Sequence, residues 1–153
     1  RCALWLRDDQ PLFFTSYHYG KPEPVTERAL TVDPAQADVV LLSGIARPQP
    51  LKEYLDSCYH CVQHIQYQDH HRYTVSEIAQ LRHRLEEHSD KPRVVFTTEK
   101  DWMRLQAEEL QKDVSLLPVF IVPIEVDFLT ENEKVEFNHI IEDYVRRDQT
   151  THP

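Results

Sequence analysis

Asp69, His70 and His71 are consecutive in "HIQYQDHHRYTVSE" (64–77), immediately ahead of a helix start. A carboxylate beside an imidazole can orient the ring and raise its basicity, which suits proton handling near neutral pH. Two solvated loop histidines, with Asp69 closing a turn, would also account for the pattern. A second polar cluster is "TTEKD" (97–101). There Thr97 and Thr98 bring hydroxyls and free backbone N–H groups to a helix start, and Glu99, Lys100 and Asp101 place three charges in one turn. A well-capped helix with a solvated charged turn is the plainer account. In "SGIARP" (43–48), Gly44 permits a positive φ or close backbone approach and Arg47 could hold an anion, against the simpler reading of a turn glycine and a surface arginine. "CYHCVQH" offers Cys58, Cys61 and His64, but no second C-x-x-C completes a zinc set, so no metal site is expected.

The elements around these clusters determine where they can sit. "DVVLLS" (38–43) is a continuous β-branched and leucine run, the mark of a strand buried on both faces. "RPQPLKEYLDS" follows as a helix with its prolines in the first turn, and "CVQHIQY" (61–67) alternates like a half-buried strand. In "TVSEIAQLRHRLEEHS", Thr74 and Glu77 form a capping box ahead of an Ile78–Leu81–Leu85 stripe. "PRVVFTT" predicts a strand running into an "EKDWMRLQAEEL" helix capped by Thr98, and "LLPVFIVPI" a fourth strand. "TENEKVEFNHIIEDYVRR" predicts a closing helix capped by Thr130 and Glu133, with Arg146 and Arg147 in its last turn.

Strands and helices alternate four times with short connections. That order predicts an α/β fold, a Rossmann-like three-layer sandwich with a mainly parallel sheet. Residues 1–36 read as a connector with a short aromatic strand in "PLFFTSYHYG" and an extended "KPEPV", and residues 37–153 as the α/β lobe. Ligands of such sheets bind beyond the carboxyl ends of the strands. Residues 43–48, 68–73 and 97–101 all fall at those ends. The densest polar clusters therefore share one rim.

Composition removes several functions. A formal charge of −9 leaves little to neutralise phosphates, so nucleic acid is not an expected partner. The longest apolar run, "VVLLSGIA", has strand length, well short of the ~20 residues of a membrane-spanning helix. Only 2 glycines are present, Gly20 and Gly44, too few for a backbone loop that wraps phosphate. Cys2, Cys58 and Cys61 form no disulfide framework and suit a reducing compartment. The opening "RCALWL" has neither an initiator methionine nor a signal-peptide layout, which suggests a piece of a longer polypeptide.

Taken in order, "VVLLSGIARPQP", "QYQDHHRYT" and "VVFTTEKDWMRL" resemble the carboxyl-terminal half of the lipid A kinase family, tetraacyldisaccharide 4′-kinase. "QPLFFTSYHYGKPEP" is similar to that family's connector between lobes, and Trp102 departs from it, standing where a small residue is usual. The resemblance implies ATP-dependent phosphorylation of the 4′-hydroxyl of a tetraacylated glucosamine disaccharide 1-phosphate, the lipid A precursor. It places the enzyme at the cytoplasmic face of the bacterial inner membrane. It implies ATP and Mg²⁺ as cofactors, bound mainly by an amino-terminal P-loop lobe that also meets the membrane surface. That lobe lies outside this sequence, so the fragment alone is expected to be inactive. His70 is implied to pair with an aspartate of that lobe that takes the proton of the sugar hydroxyl, with Asp69 orienting His70. Gly44, Arg47, His71, Thr97, Thr98, Glu99, Lys100 and Asp101 are implied to face the cleft.

Two rivals remain. A metal-dependent phosphoesterase of the DHH type needs further aspartate motifs upstream, and Asp8, Asp9, Asp33 and Asp38 form no D-x-D pattern. A non-catalytic α/β interaction domain could carry the same sheet.

Overall fold

The computed structural model describes residue 7, residues 10–87 and residues 89–151. Cys2, Asp8 and Asp9, which figured in the readings above, lie outside the described residues. Chain contacts divide the described residues into two compact units, Tyr19–Ile124 and those up to His18 together with those from Glu125 onward. The sequence suggested a boundary after residue 36 instead. The stretch from Tyr19 to residue 36 joins the larger unit because its short strand hydrogen-bonds into the main sheet.

In chain order the elements are β1 (Thr15–Tyr19), β2 (Glu23–Pro24), β3 (Asp38–Ser43), α1 (Gln49–Cys58), β4 (His60–Gln66) and α2 (Val75–Glu86). They continue with β5 (Arg93–Thr98), α3 (Glu99–Leu105), α4 (Gln111–Val114), β6 (Val119–Val122), β7 (Ile124–Phe128) and α5 (Glu131–Thr151). The main sheet has strand order β2-β6-β5-β3-β4, with β3 paired in parallel to both β4 and β5, and β5 in parallel to β6. Only β2 runs antiparallel, on the edge beside β6, where Pro24 has no N–H to give to a further strand.

Every residue of β3 is buried, as its unbroken apolar run requires. Val39 and Leu41 pack with Leu51 and Leu55 of α1 and with Phe96 and Phe120. Val40 and Leu42 point the other way, into Ile78, Leu81, Leu105, Leu110 and Val114 of α2, α3, α4 and their connections. Alternation along one strand thus builds two cores, one on each face. The result is the α/β sandwich expected from the element order.

Three boundaries differ from the sequence reading. The helix expected over "EKDWMRLQAEEL" stops at Leu105, and α4 follows after a turn. A straight helix would set Leu110 about 140° around the axis from Leu105. Both are fully buried, which the break permits. "LLPVFIVPI" is two strands, because Pro123 cannot donate to a ladder and separates β6 from β7. The Pro123 carbonyl instead accepts from the Gly20 N–H at 2.9 Å. Finally, α5 continues to Thr151, so Arg146 and Arg147 lie inside it rather than in its last turn. No glycine or proline interrupts the sequence between them and Pro153.

The smaller unit holds the two-stranded β1-β7 sheet and α5. Phe13, Phe128 and Phe137 form its aromatic knot, with Phe13 edge-on to the other two at 6.0 and 5.5 Å. Ile140, Ile141, Tyr144 and Val145 of α5 are exposed.

Phe96 is fully buried and meets Tyr59 and Phe120 edge-on at 5.1 and 5.7 Å. Phe96→Ala is expected to lower unfolding free energy by about 3–5 kcal/mol, read as a reduced urea midpoint.

Candidate functional site

The chain leaves β3 for β4 through α1, then passes back over β3 through α2 to enter β5. Strand order reverses there, so the connections leaving β3 and β5 start at the position where parallel sheets of this type bind ligands. Gly44 follows β3, and Thr97 and Thr98 end β5. The loop from Tyr67 to Tyr73 leaves β4 on the same rim, its start fixed by the Tyr67 N–H donating to the Ser43 carbonyl at 2.8 Å.

Asp101 lies at the centre of this rim. Its side chain is 0% exposed. Oδ2 accepts from the Gly44 N–H at 2.9 Å and from the Thr98 hydroxyl at 2.9 Å. Oδ1 accepts from Arg104 Nη1 at 3.1 Å. The Asp101 N–H donates back to Thr98 Oγ1 at 3.1 Å, closing the cap of α3. A buried carboxylate needs such partners, since unpaired it would cost several kcal/mol of desolvation. Arg104 Nη1 also donates to the Gly44 carbonyl at 3.1 Å, so both polar groups of Gly44 are held. Tyr73 is buried against this cluster, and burial beside Asp101 pushes its phenol up, keeping it protonated; its Oη has no hydrogen bond of good geometry.

Gly44 is present for space rather than for an unusual backbone angle, since neither glycine has a positive φ. A Cβ there would meet Asp101 Oδ1 at 3.0 Å, the Tyr73 hydroxyl at 3.3 Å and the Gln68 carbonyl at 3.4 Å.

The histidine pair separates. His70 takes φ of 63°, unique among the described non-glycine residues. The turn is held by the His71 N–H donating to the Gln68 carbonyl at 3.2 Å and the His70 N–H donating to Asp69 Oδ1 at 3.0 Å. This conformation sends the two rings to different places. His71 stacks on Tyr67 at 4.2 Å, and its Nε2 meets Glu77 Oε1 at 3.0 Å. Glu77 Oε2 meanwhile caps α2 by accepting from the Thr74 N–H and hydroxyl. His71 therefore ties the loop to the helix. The His70 side chain is 77% exposed, with Nε2 at 3.5 Å from Asp69 Oδ2 and Nδ1 at 3.2 Å from Arg104 Nη2. Lys100 Nζ donates to Asp69 Oδ1 at 2.8 Å, and this bond holds the Asp69 carboxyl below the usual carboxylate range.

The rim thus joins Gly44, Asp69, His70, Thr98, Lys100 and Asp101 in one contiguous network. Thr97 is different, fully buried with its hydroxyl donating to the Leu42 carbonyl at 2.9 Å, where it staples β5 to β3. Glu99 and Arg47 are exposed, without an ion pair among the described residues. Cys58, Cys61 and His64 diverge: Cys58 is exposed at the end of α1, Cys61 lies on β4 and His64 Nε2 meets Ser43 Oγ at 2.7 Å. Sequence reasoning missed Arg104, which touches Gly44, His70 and Asp101 at once. Its spacing of three residues from Asp101 on one helix was the available signal.

The sequence profile of the family described as tetraacyldisaccharide-1-P 4′-kinase, LpxK, matches residues 8–146. The chain belongs to this family. Tetraacyldisaccharide 4′-kinase of Phocaeicola vulgatus is 32% identical over 143 residues, and that of Bacteroides thetaiotaomicron 31% over 150. In both cases the match covers 91% of this chain and 39% of the relative, so the chain spans about two-fifths of the length of these kinases. A crystal structure of LpxK from Aquifex aeolicus in complex with ATP superposes with a TM-score of 0.46 and 15% identity, over 88% of this chain and 38% of that one, too loosely to argue from. Among the described residues of this LpxK-family chain, no helix is long and apolar enough to cross a membrane. Nor do three or more His, Cys, Asp or Glu side chains gather as a metal site would require.

Two substitutions probe the rim. Gly44→Ala is expected to cost about 1–3 kcal/mol, because the Asp101 carboxylate is held by its donors and cannot retreat from the new methyl group. Lys100→Met is expected to return the Asp69 carboxyl toward its ordinary value, visible as a rightward shift of its titration curve by carboxyl-selective NMR. An unchanged curve would remove Lys100 as the cause of the lowered value.

Proposed function

We propose that these residues form the carboxyl-terminal lobe of a tetraacyldisaccharide 4′-kinase, which transfers the γ-phosphate of ATP to the 4′-hydroxyl of the acylated disaccharide 1-phosphate precursor of lipid A. The reading is carried by one observation: Gly44, the Asp69–His70 loop and the Thr98–Asp101 turn, remote in sequence, share one rim through direct hydrogen bonds. Family membership supports phosphoryl transfer as the chemistry of this rim. The geometry supports Asp69, His70 and Lys100 as the side chains at its edge.

His70 is the rim group best placed to act. Its ring is exposed, while Asp69, Lys100 and Arg104 surround its base. In the proposed enzyme its imidazole pairs with an aspartate supplied by the rest of the polypeptide, and that aspartate accepts the proton of the sugar hydroxyl. Phosphoryl transfer depends mostly on alignment and charge neutralisation, so a second lobe closing over the phosphates is an economical design.

ATP and Mg²⁺ do not fit the residues of this chain by themselves. Two glycines cannot build a phosphate-wrapping loop, and the described carboxylates form no cluster for a divalent ion. Both are therefore assigned to the remainder of the enzyme, as is contact with the cytoplasmic face of the bacterial inner membrane. The phosphoesterase alternative is disfavoured by Asp38. It sits at the opposite end of β3 from the rim, where it meets His60 Nδ1 at 2.8 Å and accepts from Ser89 Oγ at 2.7 Å.

His70→Ala in the full-length enzyme is expected to lower kcat at least 100-fold while leaving the melting temperature near that of the parent. A rate close to wild type would remove His70 from the mechanism. Residues 1–153 alone should turn over no ATP, and measurable turnover would contradict the two-lobe account.

A further inference from the structure

We propose that Arg104 is a positioning residue that fixes the tautomer of His70 and so decides which ring nitrogen is presented to the reaction. This rests on the role given to His70 above and extends it to a residue that no sequence motif singled out.

A guanidinium has donors and no acceptor. Arg104 Nη2 lies 3.2 Å from His70 Nδ1, so Nδ1 offers its lone pair and the ring proton resides on Nε2. The guanidinium is itself immobilised. Nη1 is shared between Asp101 Oδ1 and the Gly44 carbonyl, both at 3.1 Å, and the Arg104 side chain is only 20% exposed. Asp101 in turn is anchored by Gly44 and Thr98. Order therefore passes outward from a buried carboxylate, through a fork of N–H groups, to an exposed ring on a loop. The fork geometry matters, because one guanidinium can address a carboxylate and an imidazole at a fixed separation while an ammonium presents a single nitrogen.

The arrangement leaves Nε2–H as the ring's free edge, with Asp69 Oδ2 at 3.5 Å to one side. That edge is the one able to donate to an incoming carboxylate, which is what pairing with an aspartate of the other lobe requires. A ring in the opposite tautomer would present a lone pair to that carboxylate and repel it. Arg104 thus acts through His70, without touching substrate.

The test uses the full-length enzyme labelled with ¹⁵N-histidine, with the His70 signals assigned by their loss in His70→Gln. Long-range proton–nitrogen spectra of the wild type should show His70 as a single tautomer with Nδ1 unprotonated. Arg104→Met should populate both tautomers and lower kcat at least tenfold, with KM for ATP and for the lipid acceptor within about twofold of wild type. Arg104→Lys keeps a cation on Asp101 and serves as the variant that folds should Arg104→Met not do so; it should resemble Arg104→Met in both readouts. A protonated Nδ1 in the wild type, or a tautomer unchanged in Arg104→Lys, overturns the proposal. So does a scrambled tautomer with an undiminished kcat in an enzyme that His70→Ala inactivates. If instead the tautomer responds to Arg104 while His70→Ala retains full kcat, the assignment to Arg104 stands and the role of His70 in catalysis falls.

Discussion

A carboxylate with no exposure to water sets the terms for the whole rim. Asp101 cannot be buried as an ion unless its oxygens are fully engaged, and its donors come from three separate segments: the turn after β3, the end of β5 and the last turn of α3. Satisfying it aligns the ends of two neighbouring parallel strands and starts α3 in a fixed direction. The same requirement recruits Arg104, whose remaining N–H groups extend the network to the loop after β4. Networks of this kind are costly when incomplete, so the four segments are coupled in stability as well as in space.

Much of the fold could be read from local pattern. The unbroken apolar run of β3 and the Thr74–Glu77 capping box each carry a mechanism that works without tertiary context. What escaped was tertiary in origin. Two residues of β2 make a strand only because the edge of β6 is there to receive them. The break between α3 and α4 follows from the need to bury Leu105 and Leu110 together, which no window of sequence states. Pro123 was visible, but its role as a divider between two sheets depended on where each half found a partner.

The site was legible to a different degree. That three polar corners would share an edge followed from strand order, because connection lengths and parallel pairing place all carboxyl ends together. Their internal division of labour did not follow. Within "EKD", three charges look alike in sequence, yet the cap at Thr98 turns Asp101 inward and leaves Glu99 and Lys100 outside. His70 and His71 are likewise neighbours of the same type. A single left-handed residue sends one ring to solvent beside Arg104 and the other into a stack on Tyr67.

That left-handed residue also sets backbone stability against the chemical role proposed for His70. The backbone at position 70 suits glycine or asparagine better than a histidine, so holding an imidazole there carries a conformational penalty on the order of 1 kcal/mol. Libraries of this chain screened only for expression or heat tolerance will enrich replacements at 70 and discard the ring. A descendant that is to retain the role proposed for His70 must have that codon locked before the screen begins.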